Sequence, residues 1–238
     1  MKVTLLVPVL NEEVGMREIM PTVDRSLFCQ ILIVDGHSTD KTVAIAKEMG
    51  FDVVTQVLPG VRGAYLAAWP HIKGDAVITF SPDGNSLVEC LKPCIEKFKE
   101  GYDLVLVSRY KDEAKSEDDD VVTGFGNWLF TNSINFFHRG RYTDAMGIYR
   151  MYRTNLPHEL DLEKPESYAF EEKLFGTNVS WEPLMSIRAA KRAAQGKLKI
   201  AEIPGDEPKR IGGVRKLQIL RWGASFYWEI LREVFFWR

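Results

Sequence analysis

The sequence predicts an α/β protein built on one mostly parallel, doubly wound sheet. Short runs rich in β-branched residues alternate with helical segments over residues 1–110 of the 238-residue chain. Polar clusters follow four of these runs, at the strand ends where open α/β sheets bind ligands. We therefore expect helices on both faces of the sheet and a ligand site at the carboxyl ends of its strands.

The elements of this first part follow from the pattern of apolar residues. Strands are predicted over residues 2–10, 30–35, 51–57, 76–80 and 103–107. Helices are predicted over residues 38–49, 63–71 and 87–99. Gly50 closes the first of these helices, because glycine adopts the left-handed conformation that ends many helices. Asn11 is expected to cap a further short helix after the first strand.

The second part of the chain is less regular. The charge-rich segment 111–120 is expected to be a mobile loop, because it can bury little apolar surface. Helices are predicted over residues 126–137, 168–175 and 184–194 and in the tail. We interpret the whole chain, residues 1–238, as one domain. Its parts are a ligand-binding half (1–110), a second half (111–220) and an amphipathic C-terminal helix (221–238).

Composition and charge limit the classes of function. The net charge of −2 gives no support to nucleic-acid binding, which normally requires a strongly basic protein. From Arg188 onwards, however, twelve Lys and Arg oppose five Asp and Glu, a surplus that suits phosphates or an anionic membrane face. The alternative is an ordinary solvated surface.

The N-terminus and the cysteines indicate a cytoplasmic protein. Met1 leads directly into the first strand without the features of a secretory signal, and no apolar run is long enough to span a bilayer. Three cysteines are too few and too irregularly spaced for a disulfide framework. Any membrane contact is therefore expected to be peripheral, on the cytoplasmic face.

Four polar clusters at strand ends are the candidate site. They are Pro8, Asn11 and Glu12 after the first strand, Asp35 after the second, Ser81, Asp83 and Asn85 after the fourth, and Arg109 after the fifth. Asp35 can accept hydrogen bonds from a base or a ribose. Asp83 and Asn85 offer two oxygens at a spacing of two, which suits Mg²⁺ or Mn²⁺. A turn built by Pro82, Asp83 and Gly84 is the structural alternative.

These motifs, in this order, resemble glycosyltransferase family 2 and specifically its dolichyl-phosphate mannose synthase-like branch. The opening P-x-x-N-E of the family resembles VPVLNE (7–12), and its V-D-D/G-G-S-x-D-G-T resembles IVDGHSTDKT (33–42). Its G-x-(K/R)-G-A and G-D steps match PGVRGA (59–64) and GD (74–75). The resemblance covers nearly the whole chain. It implies the GT-A nucleotide-diphospho-sugar transferase fold and an inverting transfer.

The resemblance has one departure at the implied metal site. The branch usually carries D-A-D followed two residues later by Gln, whereas this chain has Ser81, Asp83 and Asn85 at the three positions. The resemblance therefore implies that Asp83 and Asn85 hold Mg²⁺ or Mn²⁺. With Ser81 in place of the first Asp, the metal is expected to bind less tightly or to rely more on the diphosphate of the donor. His37 also replaces a family glycine.

The back half supports the assignment to this branch. TDAMG (143–147) resembles D-x-x-S/T-G, WEP (181–183) the acceptor-side acidic segment, and EIP (202–204) the E-V-P strand. RIGGVRK (210–216) resembles R-x-x-G-x-S-K. Asp144 is the first candidate for a general base or for orienting the acceptor, and Glu182 is the second. Basic side chains of the last motif are expected to clamp a phosphate, with a solvated basic loop as the alternative.

The expected reaction is a single displacement that moves a hexose from a GDP- or UDP-type sugar to a polyprenyl phosphate of the dolichyl or undecaprenyl type. The residues expected to bind the nucleotide sugar are Pro8, Asn11, Glu12, Asp35, Arg62, Ser81, Arg109, Arg210, Arg215 and Lys216. Two alternatives stay open. One is a family 2 transferase that uses a saccharide or glycolipid hydroxyl, and the other is a non-catalytic module that binds nucleotide sugars.

The tail from Arg221 projects as an aromatic-rich amphipathic helix. Its predicted apolar arc consists of Phe226, Tyr227, Trp228, Ile230, Leu231, Val234, Phe235 and Trp237. The predicted polar side consists of Arg221, Ser225, Glu229, Arg232 and Glu233. Such a helix suits a membrane interface, the protein core or a second subunit of a homo-oligomer, and the sequence does not choose between them.

Overall fold

A computed structural model describes residues 1–212 and 219–237, and its centre is a seven-stranded sheet. The strands are β1 (Val3–Val9), β2 (Gln30–Asp35), β3 (Asp52–Thr55), β4 (Ala76–Thr79), β5 (Leu104–Ser108), β6 (Arg150–Arg153) and β7 (Ile200–Pro204). Their order is β3-β2-β1-β4-β6-β5-β7. β6 is antiparallel to both neighbours, and the other pairs are parallel.

Helices cover both faces of this sheet, as expected for a doubly wound fold. They are α1 (Glu13–Glu18), α2 (Thr42–Glu48), α3 (Gly60–Ala68), α4 (Leu91–Lys99), α5 (Val121–His138), α6 (Leu156–Glu159), α7 (Ala169–Phe175), α8 (Glu182–Ala194) and α9 (Ile219–Phe236). Side chains alternate along β1, so that Leu5 joins a core with Met16 and Ile95. Leu6 joins the opposite core, with Tyr65.

The strand β6 is absent from the sequence prediction. It has only four residues and begins and ends with arginine, so it lacks the apolar run that marks the other strands. Arg150 is nevertheless buried, because its guanidinium donates to the carbonyl oxygens of Gly147 and Glu182. Since β6 and β7 come from the second part of the chain, both parts build one sheet. The division at residue 110 stays a prediction.

Asn11 does not cap a helix, contrary to expectation. Its backbone is left-handed, and its side-chain oxygen accepts from the backbone N–H of Thr39 at 2.7 Å. This bond ties the loop after β1 to the loop after β2. Asp40 provides the capping interaction nearby, since its carboxylate accepts from the N–H of Thr42 at the start of α2.

The charged segment 111–120 is hydrogen-bonded rather than loose. The N–H of Lys115 donates to Asp206, and the N–H of Glu117 donates to the carbonyl of Glu207, each at 2.8 Å. Ser116 also forms a parallel bridge to Glu207. The expectation of a mobile loop overlooked these partners, which lie 90 residues further along the chain. The pairing fixes where the acidic side chains after Ser116 point.

The inner face of the C-terminal helix α9 holds residues from both sides that the sequence predicted. Phe226 and Ile230 are buried, as expected of the apolar side. Ser225, Glu229 and Glu233 are buried, whereas Trp228 and Phe235 are exposed. The reason lies in the elements against which α9 packs, which are α5, α7 and α8. Arg188 of α8 pairs with Glu233, and Arg232 of α9 itself pairs with Glu171 of α7. Among the described residues, no helix is long and apolar enough to cross a bilayer.

Glu229 and Glu233 lie one turn apart on this inner face and differ in their partners. Arg188 donates to both carboxylate oxygens of Glu233, at 3.0 and 3.1 Å. Burial opposes the ionisation of Glu233, but Arg188 and Arg232 outweigh it and hold its pKa below the ordinary value. Both oxygens of Glu229 lack a hydrogen-bond partner among the described residues. Burial therefore raises the pKa of Glu229 well above 4.5.

We expect Glu229→Gln and Glu233→Gln to change stability in opposite directions. As pH rises above about 4.5, the unfolded chain loses the Glu229 proton that the folded chain keeps, so stability falls until the raised pKa is reached. Glu229→Gln removes this loss of stability, because glutamine does not ionise. Glu233→Gln leaves Arg188 without its charge partner and should cost about 3–5 kcal/mol. Urea unfolding between pH 5 and 8 measures both effects, and shifts of the same sign would contradict the assignment.

Candidate active site

A cleft of about 870 Å³ opens at the carboxyl ends of β1, β4 and β5. Pro8 lies on its wall at the end of β1, Ser81 follows β4, and Arg109 follows β5. The opposite wall comes from α5 and α9. The cleft therefore lies where the strand-end clusters of the sequence predicted a ligand site.

The structure brings some of the predicted site residues together and leaves others outside the cleft. Those that line it are Pro8, Glu12, Ser81, Asp83, Asn85, Arg109 and Arg210. Those that do not are Asn11, Asp35, Arg62, Asp144 and Glu182. Arg215 and Lys216 lie outside the described residues.

Asp83 is the centre of the turn that follows β4. One carboxylate oxygen accepts from the N–H of Asn85 at 3.1 Å, and the other lies 3.1 Å from Nη1 of Arg210. Gly84 has a φ of +91°, which a side chain would strain. The N–H of Ile211 donates to the Asp83 carbonyl and brings the Arg210 segment against this turn. Asp83 therefore both shapes the turn and provides the negative charge that pairs with Arg210.

The residues of this turn fit a divalent ion. No three His, Cys, Asp or Glu side chains in residues 1–212 and 219–237 form a metal cluster. Mg²⁺ and Mn²⁺ need fewer protein ligands when substrate phosphates complete the coordination. Asn85 donates its amide to the carbonyl of Pro208 at 2.7 Å, which leaves its Oδ1 buried without a partner in the described chain. An amide oxygen in need of a partner beside a carboxylate suits such an ion.

Arg109 joins three carboxylates at the edge of the cleft. Its Nε and Nη2 donate to the two oxygens of Asp144 at 2.6 and 3.0 Å. Its Nη1 lies 3.1 Å from Glu207 and 3.6 Å from Asp119. Burial opposes the ionisation of Asp144, but Arg109 outweighs it and keeps the pKa of Asp144 below its ordinary value. Asp144 is thus ionised and holds Arg109 in position. A carboxylate with a lowered pKa and a bound guanidinium is a poor general base.

Glu182, the second candidate for a base, is enclosed by aromatic residues. It is 4% exposed, and the Tyr65 hydroxyl donates to its Oε1. The Tyr65 ring stacks on Trp181 with ring centroids 4.5 Å apart. The second carboxylate oxygen of Glu182, Oε2, has no hydrogen-bond partner within the described residues. The position supports the wall behind the cleft rather than contact with a substrate.

Asp35 and Arg62 also have partners away from the cleft. Asp35 accepts from the backbone N–H groups of His37 and Ser38, at 3.2 and 2.9 Å, and so shapes the loop after β2. Arg62 lies 2.5 Å from Glu172 and over the ring of Tyr168. Gly36 lines the cleft in place of Asp35.

Sequence reasoning missed several residues that line the cleft. They are the acidic Asp118, Asp119, Asp206 and Glu207, and the aromatic Phe125, Phe130, Trp222 and Phe226. Asp118 and Asp119 belong to the segment interpreted as a mobile loop, and no element was predicted for Asp206 and Glu207. The pairing between these two segments, 90 residues apart, places them here. Burial raises the pKa of Glu207 above its ordinary value, although Arg109 opposes that rise.

The mostly parallel sheet, with helices on both faces, has the GT-A nucleotide-diphospho-sugar transferase fold of the family and the solved structures that match this chain. This finding confirms the predicted fold class. Residues 4–160 match the model of Glycosyl transferase family 2. The chain belongs to this family, and it is a glycosyltransferase.

Similar curated proteins come from archaea and bacteria. The glycosyltransferase AglJ of Haloferax volcanii is 25% identical over 97% of this chain and 71% of its own length. The dolichol-phosphate mannosyltransferase of Pyrococcus furiosus is 25% identical over 99% of this chain, which spans 63% of that relative. An undecaprenyl-phosphate 4-deoxy-4-formamido-L-arabinose transferase of Klebsiella pneumoniae is 30% identical over 44% of this chain and 36% of its own length. These relatives support the polyprenyl-phosphate branch of the family.

Solved structures share the fold at lower identity. Glucosyl-3-phosphoglycerate synthase from Mycobacterium tuberculosis, in complex with Mn²⁺, UDP and phosphoglyceric acid, superimposes with a TM-score of 0.69 at 17% identity. The match covers 98% of this chain and 78% of that chain. A complex of the same enzyme with Mg²⁺ and UDP gives a TM-score of 0.70 at 16% identity, over 98% and 79% of the two chains.

Proposed function

We propose that this glycosyltransferase moves a hexose from a nucleoside-diphosphate sugar to a polyprenyl phosphate, with inversion at the anomeric carbon. The observation that carries the proposal is that the cleft has a polar end and an apolar side. Asp83, Asn85 and Arg210 form the polar end, whereas Phe130 and Trp222 lie on the helical side. A phosphate attached to an isoprenoid chain needs both kinds of surface.

The donor, of the GDP or UDP type, is proposed to lie along the carboxyl ends of the parallel strands. Pro8 and Gly36 line the part of the cleft assigned to the nucleoside. Asp83 and Asn85 would hold Mg²⁺ or Mn²⁺, which supplies a Lewis acid for the departing diphosphate. Arg210 would donate hydrogen bonds to the same diphosphate.

The proposed reaction is one displacement. A phosphate oxygen of the acceptor bonds to the anomeric carbon as the bond from that carbon to the diphosphate breaks, and the nucleoside diphosphate leaves. Because the second pKa of a phosphate monoester is about 6, the acceptor is mostly ionised at pH 7. No side chain has to remove a proton, which agrees with the paired, buried state of Asp144 and Glu182. Asp144 is therefore proposed to position Arg109.

A hydroxyl acceptor is the second candidate, and one observation favours it. Glu207 lines the cleft, and burial raises its pKa above the ordinary value, which is the direction that favours a general base. A hydroxyl must lose its proton during the transfer, so the rate would fall steeply at acid pH as that base became protonated. A phosphate acceptor predicts a shallower profile, because a phosphate monoester still carries one negative charge below its second pKa.

The relatives support the acceptor class, and the solved structures support the donor class. The Pyrococcus and Klebsiella relatives are named for transfer involving dolichol phosphate and undecaprenyl phosphate. The solved structures contain UDP with Mn²⁺ or Mg²⁺. The test is to offer labelled GDP- and UDP-hexoses with a polyprenyl phosphate and a saccharide acceptor in competition, and to follow which acceptor gains the label.

A membrane contact is also proposed, through an outward apolar face formed by three neighbouring helices. Its exposed side chains are Phe125, Trp128 and Phe136 of α5, Phe170 and Leu174 of α7, and Trp228, Phe235 and Phe236 of α9. Trp228 stacks on Phe170 with centroids 5.5 Å apart, which joins two of the helices. Phe125 also lines the cleft. The apolar face therefore continues into the proposed acceptor site, as an acceptor held in a bilayer requires.

We expect the triple variant Trp128→Ser, Phe235→Ser and Phe236→Ser to lose liposome binding by at least about tenfold. Each aromatic side chain contributes about 1.5–3 kcal/mol when fully buried in an apolar phase. The melting temperature should change little, because all three are exposed. Truncation after Arg221 is a poorer test, since it also removes the buried Glu233 and its ion pair.

Liposome flotation with anionic vesicles measures the binding, and Val57→Ser is the control. Val57 is 87% exposed but lies outside the three helices. A wild-type protein that never floats, or a triple variant that floats as well as the wild type, would rule out this membrane contact.

A further inference from the structure

The guanidinium of Arg210 lies between two carboxylates in the cleft. Its Nη1 is 3.1 Å from Asp83, and its Nε is 3.4 Å from Asp118. Asp83 follows β4, whereas Asp118 belongs to the charged segment 111–120. Two carboxylates from distant parts of the chain therefore meet at one cation. Two carboxylates that meet in a partly buried place repel each other, so the arrangement is unfavourable unless a cation lies between them.

The position of Asp118 is fixed by backbone pairing. The N–H groups of Lys115 and Glu117 donate to Asp206 and Glu207, and the N–H of Glu207 donates back to the carbonyl of Lys115. Asp118 follows directly on this paired stretch. These backbone hydrogen bonds hold the Asp118 carboxylate in the cleft. Functional side chains are typically held in position by supporting hydrogen bonds of this kind.

The chain also lacks one acidic group at the turn after β4. Ser81 stands where the related sequences place their first aspartate, so Asp83 is the only carboxylate that the turn provides. Asn85 contributes a buried Oδ1 that has no partner within the described residues. Mg²⁺ and Mn²⁺ are bound by one or two carboxylates together with substrate phosphates. A second carboxylate from outside the turn would complete this set.

We propose that Asp118 supplies that second carboxylate, and that Arg210 occupies the cation position until the metal ion and the donor arrive. In this scheme, which rests on the proposed function, Arg210 leaves Asp83 and Asp118 to the ion and turns to the donor diphosphate. Arginine suits both states, because its planar fork pairs equally well with carboxylates and phosphates. The charged segment 111–120 is then part of the metal site.

Binding of Mn²⁺ followed by electron paramagnetic resonance tests this proposal without an activity assay. Asp118→Asn should weaken Mn²⁺ binding by about tenfold or more, both alone and with UDP or GDP. Glu117→Gln removes a neighbouring exposed carboxylate that makes no part of the site, and it should bind Mn²⁺ like the wild type. Melting temperatures of the variants establish that each is folded.

Arg210→Ala gives a result of opposite sign. Removing the competing cation should tighten Mn²⁺ binding in the absence of nucleotide, whereas binding of UDP or GDP should weaken. Wild-type Mn²⁺ affinity in Asp118→Asn, or weaker Mn²⁺ binding in Arg210→Ala, would overturn the inference. If the wild type still transfers sugar in either case, the proposed function survives. A wild type that neither binds Mn²⁺ nor transfers sugar would overturn both.

Discussion

Asp83→Ala is expected to lower transferase activity by at least about two orders of magnitude, because it removes the one carboxylate of the turn after β4. Asp83 also accepts from the N–H of Asn85, so alanine disturbs the turn as well as the charge. Asp83→Asn separates the two effects, since its amide oxygen can still accept from that N–H. We expect the asparagine variant to melt like the wild type and to be nearly as inactive as the alanine variant.

The measurement is the rate of transfer at limiting Mn²⁺. Asp112→Asn is the control, because Asp112 is an exposed aspartate outside the cleft. If Asp83→Asn turns over at nearly the wild-type rate at limiting Mn²⁺, then Asp83 is not a metal ligand. A loss of activity accompanied by a large fall in melting temperature would instead indicate a structural role for the turn.

Arg109→Ala is expected to destabilise the fold by about 3–5 kcal/mol, and Asp144→Asn by less. Asp144 is 1% exposed and pairs with Arg109 through two hydrogen bonds, so Arg109→Ala leaves a buried carboxylate without its partner. In Asp144→Asn the guanidinium of Arg109 keeps Glu207 and Asp119 as partners. The double variant should lose less than the sum of the single losses, because the two side chains act as a pair. Activity should fall as well, since Arg109 lines the cleft.

Urea unfolding of the two single variants and the double variant measures this coupling. Arg153→Ala is a matched control, because Arg153 pairs with Asp103 and Glu159 but has a side chain that is 30% exposed. It should cost about 1 kcal/mol or less. Additive losses in the double variant would show that Arg109 and Asp144 do not depend on each other.

The parallel strands and their polar ends could be predicted because the signals are local. A run of β-branched residues that ends in a polar cluster, as before Asp35 and Asp83, marks a buried strand whose end faces a ligand site. β6 escaped the prediction because Arg150 is buried among carbonyl groups that come from other segments. A sequence pattern treats such an arginine as a surface residue.

Part of the polar side of α9 was predicted wrongly for a related reason, although Phe226 and Ile230 are buried as predicted. The projection assumed that Glu229 and Glu233 face solvent, whereas Arg188, 45 residues away, lets Glu233 be buried. Asp144 and Asp118 show the same dependence on partners, since Arg109 and Arg210 determine what each carboxylate can do. The periodicity of apolar residues predicts which face of a helix is usually buried. It cannot show which distant residue will pair with a buried charge.

The most direct test of the account is to identify the product formed from a labelled nucleotide hexose, Mn²⁺ and a polyprenyl phosphate. We predict that the label moves into the lipid phase as a hexosyl phosphate, whose anomeric configuration is inverted relative to the donor. The linkage should be cleaved by mild acid, as expected for a glycosyl phosphate, and its configuration can be read by nuclear magnetic resonance. Label that enters only a saccharide hydroxyl, or a product with the retained configuration, would contradict the account.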